Sequence, residues 1–178
     1  MKALGLVSFL YFGAGVAYML YRWPADMKKT FSQNAARTQG SIAFYAALVL
    51  TFLAMLCTFV YGWLISTLHL SAAFTAAFTI GALAQAVAGV VPETRGWKVR
   101  THVNAAYVMY YATVVTVAAM IWGVSMPAKL LVAIMLLVMA AAVAVGTFSA
   151  KLRLNAVVLQ TIHFVALAGA FMFATYIS

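Results

Sequence analysis

Residues 81–111 read GALAQAVAGVVPETRGWKVRTHVNAAYVMYY. An apolar run closes at Pro92, a short basic connection follows, and a second apolar run opens at about His102. Proline lacks the N–H that a continuing helix needs, so the first run ends there. Two apolar helices joined by a basic hinge are the unit of a polytopic membrane protein, and the rest of the chain repeats that unit. Of the 178 residues, 67% are hydrophobic and 7% charged, with mean hydropathy +1.05. A soluble domain carries about 25% charged residues.

A spanning helix needs about 20 mostly apolar residues. Stretches 4–21, 42–65, 70–91, 103–124, 128–148 and 154–176 qualify. In lipid the backbone must bond within its own segment, which forces helices. A barrel would alternate polar and apolar residues, and these runs do not. The expectation is therefore an all-α bundle of six transmembrane helices, a single domain over 1–178. The N-terminal run loosely imitates a signal peptide but is too long for one, and reads as an uncleaved first span. Cys57, the one cysteine, sits inside a span as a small packing residue.

The basic residues set the orientation. Arg22, Lys28, Lys29, Arg37, Arg95, Lys98, Arg100, Lys151 and Arg153 fall in the odd-numbered connections, and Lys129 in an even one. By the positive-inside rule the odd loops face the cytoplasm and both termini lie outside, although Lys2 argues the other way. The same rule accounts for the net charge of +9, so no nucleic-acid partner is expected. In the first connection Met27, Phe31 and Ala35 recur at helical spacing. That pattern fits either a short helix lying on the anionic inner leaflet or a plain polar linker.

Ala73, Ala77, Gly81, Gln85 and Gly89 recur every four residues and share one face. Small residues let helices approach closely in lipid, so the third span is expected at the centre of the bundle. The fifth span has almost no polar side chain and is expected to face lipid.

Polar groups inside a membrane usually face the bundle interior. Gln85 lies seven residues before Pro92, about 10 Å deep at 1.5 Å per residue. His102 and Asn104 open the fourth span, with Tyr107 one turn on. Gln160 and His163 share a face of the sixth. All fall in the half of the membrane next to the odd loops, so they are expected to line one pocket. Against this, each amide could merely join helices, His102 could be an interfacial histidine, and only His163 stands far from any charged loop residue. His163 is expected neutral, with Gln85 as its partner. Glu93 and Arg95 read either as a surface ion pair of little energetic weight or as a polar lid over the pocket. His69 falls in an outer loop and is expected to be solvated.

No lysine lies mid-span, no span contains aspartate or glutamate, and no phosphate loop or serine elbow appears. The reading that remains is a non-enzymatic protein that binds or moves a small apolar or amphipathic molecule, with membrane lipid as its natural partner. Two other readings stand beside it. His102 and His163 could clamp a haem, as bis-histidine redox proteins do. The polar residues could also be simple helix glue in a structural subunit or homo-oligomer.

The pattern AGVVPETRGWKVRTHVNAAY closes a span on Gly-x-x-Pro and opens the next on a histidine. It resembles a bacterial six-span membrane family of unknown function related to the Frag/DRAM group, and more distantly the cytochrome b561 fold. The likeness runs over roughly residues 35–120 and matches at Gly89, Pro92 and His102. It implies a six-helix bundle in the bacterial inner membrane and no particular activity. The cytochrome relatives use more axial histidines than these spans offer.

Overall fold

The computed structural model describes residues 1–23, 25–94, 96–148 and 155–178. Arg95, Lys151 and Arg153, which carry part of the charge asymmetry, lie outside the described residues. The described chain forms α1 (Lys2–Arg22), α2 (Phe31–Ala35), α3 (Gln39–Thr67), α4 (Ala72–Val90), α5 (Trp97–Met120), α6 (Ala128–Phe148) and α7 (Ala156–Tyr176). All except α2 are long and apolar enough to cross a membrane. Large apolar side chains such as Leu10, Leu83, Leu130, Leu137 and Val165 point outward over this length. Such a continuous apolar exterior is stable in lipid and not in water.

Several helix starts follow from side-chain capping. Thr30 with Gln33 and Thr38 with Ser41 form reciprocal capping boxes at α2 and α3. Ser71 Oγ accepts from Phe74 N at α4. Each satisfies N–H groups that the first helical turn leaves unpaired. One π-helical turn, Val60–Leu64, lies inside α3. Just after that helix His69 is exposed and adopts φ 49°, while Leu70 N bonds back to Ile65 O at 3.0 Å.

The fourth span differs from its expected bounds at both ends. Gly96, at φ 63°, reverses the chain soon after Pro92. The helix then starts at Trp97, so Lys98 and Arg100 occupy its first turns instead of a loop. Long basic side chains reach the interface from such positions without breaking the helix. At the far end the chain leaves the helix after Met120, where Gly123 N closes a turn on Met120 O.

Each spanning helix packs on its neighbours in chain order, and α7 closes back onto α1. The six spans thus form a ring, and the expectation of a central third span fails. The small-residue face of that span, α4, divides between two neighbours. Gly81 lies against Ala112 of α5, Gly89 lies against Val49 of α3, and Ala73 is exposed. Inside the ring the rings of Phe9, Phe12 and Phe52 meet Phe164 and Phe171 of α7, with centroids 4.7–6.2 Å apart. α6 buries a single stripe, Ala128, Val132, Met139 and Ala142, and packs mainly on α7.

One end of the bundle gathers the first connection, the α4–α5 loop and the start of α7. The other gathers both termini and the two short turns, with Ser125 N bonded to Ser178 Oγ at 3.0 Å and Lys2 over the Trp63 ring. The first connection is neither a plain linker nor a helix lying on the leaflet. Phe31 and Ala35 are buried against the bundle, whereas Met27 is exposed. Asn34, buried, ties the segment down. Its Oδ1 accepts from Asp26 N at 2.8 Å, and its amide donates to the carbonyls of Asp26 and Thr30 at 3.0 Å.

Candidate functional site

Inside the ring, at the end carrying α2, lies a cavity of about 370 Å³ lined by Glu93, His102, Tyr107 and Gln33, among others. A smaller chamber of about 100 Å³ continues from it toward the middle of the bundle, walled by phenylalanines. The two share Tyr45, Gln85, Met109, Tyr110, Gln160 and His163. A polar layer therefore separates a mixed outer chamber from an aromatic inner one.

Gln160 is fixed by what it touches. Its Oε1 accepts from Phe31 N at 2.6 Å, so the amide nitrogen must be the end facing Tyr110, where Nε2 donates to Oη at 2.6 Å. Phe31 N is one of the unpaired donors in the first turn of α2. Gln160 thus latches α2 to α5 across the cavity mouth. With its oxygen accepting from Gln160, Tyr110 keeps its own proton to give to a molecule in either chamber. Gln33 is fixed likewise. Its Oε1 accepts from Thr30 N at 3.0 Å, and its Nε2 donates to Glu93 Oε1 at 2.9 Å. Met27 O also accepts from Val157 N at 3.4 Å, so loop one is held at both α4–α5 and α7.

His102 is buried. Its Nδ1 lies 2.8 Å from the Val91 carbonyl. A carbonyl has no proton to offer, so Nδ1 is the donor. Nε2 faces Glu93 Oε2 at 3.7 Å. Glu93 therefore joins Gln33 and His102. The surface pairing expected with Arg95 falls partly outside the described residues.

His163 is 5% exposed. Its expected partner, Gln85, proves wrong. Nε2 lies 3.0 Å from Thr113 Oγ1, and the ring stands edge-on to Tyr110 with centroids 5.0 Å apart. Nδ1 has no hydrogen-bond partner, and the Met139 carbonyl lies beside the ring without reaching bonding geometry. Gln85 instead faces the Tyr45 hydroxyl. Asn104 is exposed and does not join the cavity, and Tyr107 lines only the outer chamber.

The two buried histidines both line the outer chamber but at different depths. His163 bonds Thr113, which lies eleven residues beyond His102 on α5 (113 − 102). That is about 16 Å along the axis at 1.5 Å per residue. Two rings so placed cannot ligate one haem iron from opposite sides.

Sequence reasoning missed Tyr45, Thr113 and Gln33. Thr113 is camouflaged because a helical threonine ordinarily bonds its own backbone, as this one does to Tyr110 O at 2.9 Å. Gln33 had a legible signal, the Thr-x-x-Gln capping box at Thr30–Gln33. Comparison with family models, with curated proteins and with solved structures returns no match.

Proposed function

We propose that this chain is a non-enzymatic membrane protein that takes a small amphipathic molecule, drawn from the lipid phase, into the two-chamber cavity and carries or presents it. The supporting observation is the polar layer between chambers of different character. A molecule with a polar head and an apolar body would place the head beside Glu93 and His102 and the body among the phenylalanines. Apolar cavities with a few convergent polar groups are the usual form of small-molecule sites. Loop one, held by side-chain hydrogen bonds over the mouth, would have to open for exchange.

Orientation follows from the charges. The cavity-mouth end carries Lys28, Lys29, Arg37, Lys98 and Arg100, and the opposite end Lys2 and Lys129. In a plasma membrane, such as that of a bacterium, the positive-inside rule puts the mouth in the cytoplasm and both termini outside.

Met109 lines both chambers, so Met109→Trp fills them. Extraction of co-purified small molecules from wild type and variant, read by mass spectrometry, tests the proposal. A lipid or amphiphile present with wild type and lost from a folded Met109→Trp supports it. Identical extracts from both would leave helix packing as the only role of these residues.

A further inference from the structure

We infer that the head group received at the cavity mouth is a primary or secondary ammonium bridging Glu93 and His102. This rests on the cavity being a binding site, as proposed above.

The argument is one of donors and acceptors. His102 Nδ1 spends its proton on the Val91 carbonyl. In the neutral ring Nε2 is then a lone pair. It faces Glu93 Oε2 at 3.7 Å, beyond hydrogen-bond length. Glu93 Oε1 is already occupied by Gln33 Nε2. Two acceptors thus stand side by side in the cavity wall with no donor from the described residues between them. The carboxylate is 12% exposed, and among the described residues no lysine or arginine lies within 4.0 Å of it. A largely buried carboxylate held by one neutral hydrogen bond, with no cation beside it, is costly.

Two species can relieve this arrangement. A proton on Nε2 makes an imidazolium facing the carboxylate. Alternatively, a cation carrying at least two N–H groups satisfies both acceptors and neutralises Glu93. Primary and secondary ammonium ions qualify. A quaternary ammonium has no N–H to give, an alcohol has one O–H and no charge, and a carboxylate is repelled. No covalent bond changes.

Among the described residues, the other charged groups around the site do not supply the missing donor. Lys28 is exposed at the cavity rim, while Lys29 and Arg37 each lie 3.9 Å from Asp26. Tyr107 and Tyr110 of α5, Tyr45 of α3 and His163 of α7 line the walls. Aromatic faces beyond the carboxylate tolerate a cation and its apolar body.

Photoreactive decylamine, decanol and decanoic acid, each with a diazirine at the chain end, test this on the full chain in zwitterionic nanodiscs. Labelled peptides are mapped by mass spectrometry. At about pH 8.5 the amine should label cavity-lining peptides of α3 and α5 at least about tenfold more than the alcohol, and the acid least. Glu93→Gln should abolish the amine advantage and retain alcohol labelling, which reports that the variant is folded. Equal labelling by all three probes, or an intact advantage in Glu93→Gln, would overturn the inference and leave the cavity reading standing. Labelling of lipid-facing residues alone, by every probe, would overturn both.

Discussion

Gln160→Leu should unlatch the first connection while leaving the six spans in place. The variant keeps the side-chain bulk but removes the acceptor 2.6 Å from Phe31 N and the donor 2.6 Å from Tyr110 Oη. The Tyr110 hydroxyl can turn to the cavity, so its loss resembles an average interhelical hydrogen bond in lipid, about 0.6 kcal/mol. Phe31 N has no such freedom, because the Thr30 hydroxyl is already taken by Gln33 N. An unpaired, partly buried donor costs about 1–3 kcal/mol. Together these give about 1.6–3.6 kcal/mol, concentrated in residues 25–38. At 1.4 kcal/mol per tenfold, the open population of that segment should rise roughly 14- to 370-fold. Hydrogen exchange read by mass spectrometry in nanodiscs measures it as lost amide protection in 25–38, with α1, α3 and α7 unchanged. Protection of 25–38 at wild-type level would refute the latch. Equal loss across all the spans would mean that Gln160 stabilises the bundle and not the connection.

Three further outcomes follow from other parts of the structure. A Cβ on Gly89 would meet Val49 Cγ1 at 2.5 Å and Val49 Cβ at 2.8 Å. Gly89→Ala should therefore destabilise the bundle by about 1–3 kcal/mol in detergent-denaturant unfolding, as overpacked sites do, and an unchanged midpoint would contradict the α3–α4 approach. His163→Leu removes the bond to Thr113 and should lower stability by about 0.6–1.7 kcal/mol, while His69→Leu, at an exposed turn, should leave the same unfolding curve unmoved. In whole cells, cysteines replacing Lys98 and Lys129 should label from opposite sides of the membrane, Lys98 only after permeabilisation; the reverse pattern would invert the proposed orientation.

The sequence by itself determined everything that depends on counting along one helix. Six runs of spanning length, the basic residues beside them and the depth of Gln85, Gln160 and His163 all follow from 1.5 Å per residue and the cost of polar groups in lipid. The capping signal at Thr30–Gln33 is equally local. Only the tertiary structure decided which side chains meet, because that depends on each helix's rotation and on the order of helices around the ring. Neither leaves a mark in the pattern of an apolar span. Thus His163 finds Thr113 and not Gln85, because α5 supplies a hydroxyl on the inner side of the ring. Asn104 turns outward although it is only two residues from buried His102, since two positions on a helix differ by about 200°. The same reason hid the ring itself. A stripe of small residues on α4 tells that neighbours come close, and it does not tell whether one neighbour lies there or, as here, two on either flank.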